Sequence, residues 1–217
     1  MPSARPVLRE LAAYRGMWAC WGVVLAAAIA LAVLAGLDDR LPGDLSASSA
    51  VQDWPFPGEP FADVLRLLSG TEVVAGIGAV LAVIAWLAGR RRPALALAAG
   101  LAVMVLLQFA VKEIVDRPRP PPDLVDLRAG FTSPSFPSGH TMSPSYLYGF
   151  LAAATLASSL PRGLRAAAVA GVAAFLLLGG LANVYLGVHW TSDVIGGYLW
   201  ALLVLIPAAR AAFPSRP

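Results

Sequence analysis

The chain has 217 residues, of which 58% are hydrophobic and only 13% charged, and its mean hydropathy is +0.71. Soluble domains average about one-quarter charged residues, so this composition excludes an ordinary water-soluble globule and points to a lipid solvent. The net charge of +3 and the pI near 9.4 do not indicate a nucleic-acid partner, because the arginines are dispersed at the ends of apolar segments instead of forming one basic footprint.

In chain order, Arg5, Arg9 and Arg15 precede an apolar run over 17–37. That run exceeds the core of a secretory signal and reaches the roughly 20 residues needed to cross a bilayer, so it reads as an uncleaved first span. It contains Cys20, the single cysteine, which has no partner for an internal disulfide and reads as a small buried apolar residue. An outer loop over 38–70 follows. Within it, Trp54-Pro55-Phe56-Pro57 cannot be regular helix, since proline lacks the N–H and clashes with the preceding turn. Phe61, Val64, Leu65 and Leu68 then recur at helical spacing, with Asp63 and Arg66 between them. They predict a short helix, lying either in the membrane interface or against the bundle.

Further spans are predicted over 71–89, 93–115, 141–160, 164–186 and 192–212, for an all-α bundle of six transmembrane helices forming one domain over 1–217. Placing both termini in the cytoplasm puts Arg5, Arg9, Arg15, Arg90, Arg91, Arg92, Arg162, Arg165, Arg210 and Arg216 inside, as positive-inside topology requires. Most acids then fall outside, among them Asp44, Asp63 and Asp116.

Three polar blocks interrupt the apolar pattern, and with this topology all three face the outer side. The first is Lys112-Glu113-Ile114-Val115-Asp116-Arg117-Pro118-Arg119-Pro120. A point-charge ammonium and a forked guanidinium suit a phosphate, although a snorkelling lysine with interfacial arginines would leave the same pattern. The second is Pro137-Ser138-Gly139-His140. There Gly139 permits close backbone approach to an anion, N–H groups at a helix start point toward it, and His140 can transfer a proton near neutral pH. A capping turn with an interfacial histidine is the structural alternative. The third runs from Asn183 to His189 and Asp193. On a continuous helix His189 and Asp193 would share a face, either as an oriented nucleophile or as a simple cap of the last span.

Taken together, the blocks resemble the signature of the type 2 phosphatidic acid phosphatase (PAP2) family, a superfamily that also includes the vanadium haloperoxidases. Its pattern is a lysine, six residues and Arg-Pro; then Pro-Ser-Gly-His; then Ser-Arg, five residues, His, three residues and Asp. Lys112 with Arg119-Pro120, Pro137 to His140, and His189 with Asp193 match it, over close to half the chain. The resemblance implies a membrane lipid phosphatase acting on lipid mono- or diphosphates, such as polyprenyl diphosphate, phosphatidylglycerol phosphate or phosphatidate. It implies His189 as nucleophile, Asp193 as its orienting carboxylate and His140 as general acid and base. Lys112, Arg119, Ser138 and the Gly139 N–H would hold the phosphate oxygens, and no metal or other cofactor is implied. The departure is Ala182-Asn183 where the family has Ser-Arg. Asn183 lacks the missing arginine's charge, and Arg117 is a candidate to compensate. A non-catalytic lipid-phosphate-binding protein and a lipid-linked phosphotransferase are the rival readings.

Overall fold

A computed structural model describes residues 4–54 and 57–214, with side chains from Arg15 onward. Pro55 and Phe56 of the proline-rich stretch, Arg216, and the side chains of Arg5 and Arg9 lie outside the described residues. The chain is all-α, with no strand among those residues: α1 Ala4–Leu37, α2 Asp44–Asp53, α3 Glu59–Ser69, α4 Thr71–Leu87, α5 Arg91–Val115, α6 Gly139–Ala157, α7 Arg162–Tyr185 and α8 Thr191–Ala212.

The expectation of six spans is overturned. Four segments are long and apolar enough to cross a membrane: Arg15–Leu37, Arg91–Val115, Arg162–Tyr185 and Thr191–Ala212. A fifth is reached only by counting α3 and α4 together, a pair bent by 48° at Gly70. α4 by itself has 17 residues and is short of a full crossing. α6 fails on composition, because its first turns carry Thr141, Ser143, Pro144 and Ser145. Those residues are buried against protein, so they need not be apolar to be solvated.

α6 is the central helix, packed against α8, α7, α5, α4 and α3. Met142, Tyr146, Leu147 and Phe150 on α6 form the main core with Val74, Leu97, Leu101 and Met104. The Tyr146 hydroxyl donates to the Ala96 carbonyl at 2.8 Å, which satisfies a phenol that would otherwise be orphaned in the core. The outward faces of α1 and α4 instead expose Val23, Ile29, Val33, Val83 and Leu87, as helices against lipid do. Cys20 lies exposed on α1 and is not the buried residue its apolar setting suggested.

The loop over 38–70 is mostly helical. α2 ends at Asp53, ahead of the proline-rich stretch, and α3 takes the predicted helix with Pro60 in its first turn. α3 packs against the bundle. Its Ala62 and Leu65 cluster with Ala182, Leu186 and Val188, while Val64, Leu67 and Leu68 remain exposed. The bundle's polar end is made by the end of α5, the start of α6, the end of α7 and the start of α8. The Arg90-Arg91-Arg92 run lies at the opposite end of α5.

Candidate active site

The last turn of α5 carries Lys112, and the helix stops at Asp116, whose backbone is left-handed (φ 43°) and whose N–H donates to the Lys112 carbonyl at 2.9 Å. Pro118 and Pro120 forbid its continuation. Lys112 is buried, and its Nζ donates to the Pro134 carbonyl. Arg119 reaches the same segment, donating through Nε to the Ser133 carbonyl at 2.9 Å and through Nη2 to the Pro134 carbonyl at 3.3 Å. Its guanidinium lies over the Phe131 ring, 4.9 Å from the centroid. The Ser135 N–H donates to the Arg117 carbonyl at 2.8 Å, so the first block holds the strand of chain that leads into the second.

His189 is not on a helix face shared with Asp193. It lies in the turn between α7 and α8, and Asp193 is in the first turn of α8. Capping geometry brings them together: Asp193 Oδ2 accepts the Trp190 N–H at 2.8 Å and faces His189 Nδ1 at 3.4 Å. Gly187 permits that turn. Its φ of 71° suits glycine, and a Cβ there would stand 2.4 Å from the Asp126 carbonyl oxygen.

The tautomer of His189 follows from its partners. Arg119 Nη1, which can only donate, lies 3.1 Å from Nε2. Nε2 must therefore carry the lone pair, and Nδ1 the proton shared with Asp193. Burial, and then the Arg119 charge, lower the His189 pKa to about 3, against the opposing pull of Asp193. At neutral pH the ring is uncharged with a lone pair available.

Asp193 is fully buried and heavily bonded. Oδ1 accepts from Arg117 Nη1 at 2.6 Å, and Oδ2 accepts from Ser135 Oγ at 2.5 Å in addition to Trp190 and His189. Arg117 thus turns away from any phosphate contact. It bridges Asp193 to Asp44 of α2, whose Oδ2 lies 2.8 Å from Nη2. Ser192 closes the cluster, donating its N–H to Asp44 Oδ1 at 2.9 Å and its hydroxyl to Oδ2 at 2.7 Å. Compensation for Asn183 by Arg117 therefore has no geometric support. Asn183 itself is buried at 0% exposure, with Nδ2 donating to the Gly179 carbonyl at 2.7 Å and Oδ1 unpartnered. One of its two N–H donors is engaged within its own helix, and its unpartnered Oδ1 is an acceptor that would repel an anion.

Ser138 precedes α6. Its N–H donates to the Asp193 carbonyl at 3.1 Å, tying the second block to the third, and its hydroxyl accepts from Thr141 at 3.1 Å. Gly139 opens α6, where the first N–H groups have no partner within the helix. A Cβ at Gly139 would stand 2.7 Å from Gln108 Nε2, so α5 packs directly onto that start. His140 is half-buried, and burial followed by the charges of Arg66, Arg119 and Lys112 lowers its pKa to about 4. Burial lowers Arg119 to about 10, with Asp193 opposing and Arg66 adding to the effect, so Arg119 is a cation at neutral pH. The structure thus gathers Lys112, Arg119, Ser138, Gly139, His140, His189 and Asp193 at one end of the bundle.

A model of the PAP2 superfamily matches residues 93–216, more than half of the chain. The chain belongs to the PAP2 superfamily. Phosphatidylglycerophosphatase B of Bacillus subtilis (strain 168) is 39% identical over 103 residues, which are 46% of this chain and 48% of that protein. This PAP2 chain therefore spans about half the length of the curated relative it matches. The crystal structure of the first transmembrane PAP2-type phosphatidylglycerolphosphate phosphatase, from Bacillus subtilis, aligns with a TM-score of 0.67. That alignment covers 84% of this chain and 92% of the other at 21% identity, a likeness of fold. With several helices of membrane-crossing length and composition, this is an integral membrane PAP2 protein.

Three contributors escape sequence reasoning. Asp44 and Arg66 stand in the loop over 38–70 among other charges of no distinguishing spacing, and Ser135 is one of many serines. Only the folded loop brings them to the site.

Proposed function

We propose that the chain is a lipid phosphatase that hydrolyses lipid mono- or diphosphates through a phosphohistidine. The observation that carries this reading is the seating of His189, with Nδ1 3.4 Å from Asp193 Oδ2 and Nε2 3.1 Å from Arg119 Nη1. Nε2 attacks phosphorus, and Asp193 stabilises the positive charge that develops on the ring. The incoming phosphate takes over the Arg119 N–H that faces Nε2. Lys112, Arg119 and the N–H groups at the start of α6 then receive the equatorial oxygens. His140 protonates the departing lipid oxygen. In the second step it accepts a proton from water as that water displaces His189 from phosphorus. A phosphate dianion supports the proton on His140 by raising a pKa that burial and the charges of Arg66, Arg119 and Lys112 hold low.

Substrate candidates are polyprenyl diphosphate, phosphatidylglycerol phosphate and phosphatidate. The name of the Bacillus subtilis relative favours phosphatidylglycerol phosphate for first trial beside the polyprenyl carrier. An apolar groove of about 330 Å³ between α1, α5 and α8, walled by Val111 and Val115 on either side of Lys112 in sequence, would accept a lipid tail. The arginine-rich end of α5 lies in the cytoplasm in this reading, with both termini, and the site opens at the outer face. No metal takes part in the steps above.

Phosphate release from the detergent-solubilised protein is the test. Release from a lipid phosphate that disappears in His189→Ala supports the phosphatase. No release from any lipid phosphate sinks it, and a phosphorylated acceptor that accumulates faster than free phosphate replaces it with a transferase.

A further inference from the structure

Arg66 is an unbalanced cation at the edge of the site. It is carried on α3, half-buried, with Nη2 donating to the Gly130 carbonyl at 2.8 Å and Nε buried without a partner. No carboxylate among the described residues forms an ion pair with it, since Asp63, whose charge acts on it, is exposed and outside that distance. α3 reaches the site because Ala62 and Leu65 pack against Ala182, Leu186 and Val188, the residues around Asn183 and immediately before His189. Gly130, which Arg66 holds, adjoins Phe131, the ring under Arg119. Arg66 and Arg119 thus grip one short segment from two sides.

The two arginines are placed differently toward the histidines. Arg119 touches His189 directly, at 3.1 Å. Arg66 has no such contact, and α3 instead packs on α6, which carries His140 in its first turn. The charge of Arg66 acts on His140 more strongly than those of Arg119 and Lys112, and it is absent among the charges that act on His189. In the phosphatase reading, on which this inference rests, His140 stands on the leaving-group side of phosphorus. A cation there has no use for a neutral alcohol. It suits a leaving group that carries negative charge of its own.

We propose that Arg66 binds a second phosphate on the leaving-group side, making the protein selective for lipid diphosphates over the monophosphates of uncharged lipid alcohols. With a diphosphate, the His189 Nε2–P bond forms as the bond from terminal phosphorus to the bridging oxygen breaks. The departing group is a lipid monophosphate, whose added negative charge Arg66 neutralises. With the monophosphate of an uncharged alcohol, the bond from phosphorus to the ester oxygen breaks, that oxygen takes its proton from His140, and Arg66 has nothing to hold. In both cases water then displaces His189, leaving orthophosphate.

The test compares farnesyl diphosphate with farnesyl phosphate, which share a tail, using wild type, Arg66→Gln and Arg66→Lys. Glutamine removes the charge and, two bonds shorter than Nη2, also releases the Gly130 carbonyl, an effect common to both substrates, and lysine keeps the charge. Arg66→Gln is expected to lower kcat/KM for the diphosphate about 10- to 150-fold, the worth of one charge-assisted contact, while changing the monophosphate less than about 3-fold. Arg66→Lys is expected to recover most of the loss. An equal fall on both substrates would make Arg66 a clamp on the Gly130 segment and overturn the proposal, as would no change on either. A wild type inactive on every lipid phosphate sinks the phosphatase reading separately. Arg66 is then judged by thermal protection, where pyrophosphate must protect wild type more than Arg66→Gln while orthophosphate protects both alike. Equal pyrophosphate protection overturns it.

Discussion

Asp193 caps α8 and orients His189 with the same carboxylate, and donors from Arg117, Ser135 and Trp190 hold it in place for both tasks. Fixing a carboxylate this firmly keeps the ring tautomer set without any rearrangement at the moment of reaction. The histidines carry a consequence for pH. Their folded pKa values, about 3 for His189 and about 4 for His140, lie below the ordinary value of 6.5. The unfolded chain therefore binds more protons as pH falls below that value, and stability is lost progressively on acidification. The melting temperature in detergent is expected to drop between pH 7.5 and 4.5, and to drop less in His140→Gln. A variant with the full wild-type slope would remove His140 from the account. The family pattern marks Lys112, Arg119, His140, His189 and Asp193 as one set and selects Arg119 by its distance from Lys112, yet it leaves the part played by Arg117, two residues away, open. The difference lies in where each side chain turns, and only Asp44 and Asp193 in place decide that.

Among the elements, α2 has a role out of proportion to its length. It delivers Asp44 to Arg117 and to the start of α8, making a buried network of two carboxylates, one guanidinium and Ser192. Removing Asp44 leaves Arg117 Nη2 and the Ser192 N–H and hydroxyl buried without that acceptor. Asp44→Ala is expected to cost about 3–5 kcal/mol of stability, read as a lowered unfolding midpoint in detergent. A loss below about 1 kcal/mol would show that Arg117 reorganises onto Asp193 alone. Turnover is expected to fall as well, since Arg117 also positions Asp193. Helix periodicity in the loop over 38–70 foretold α3 from Phe61, Val64, Leu65 and Leu68. α2 carries no such pattern, because Ser46, Ser48 and Ser49 interrupt any apolar stripe. Its placement comes from tertiary hydrogen bonds.

At the scale of the molecule, the site gathers at one end of α5 and the arginine run at the other, so a single topology assigns each to a side of the membrane. With Cys20 replaced by serine, a cysteine introduced at Asp123 is expected to react with a membrane-impermeant maleimide in intact cells. One at Arg91 is expected to react only after permeabilisation. The reverse pattern would invert the proposed orientation. Hydropathy located four of the spans to within a few residues, because lipid accepts only long apolar runs with their backbone bonds satisfied internally. It misjudged α4 and α6, where contact with protein in place of lipid relaxes that demand. By itself, then, the sequence determined the membrane class and the all-α character, since both are written in local composition, and the family resemblance drew the three polar blocks together. The tertiary structure alone decided that Arg117 belongs to Asp44 and Asp193, that Asn183 turns back on its own helix, and that α3 brings Arg66 to the edge of the site. Those outcomes depend on side-chain direction and on partners distant in the chain, and neither is encoded in spacing.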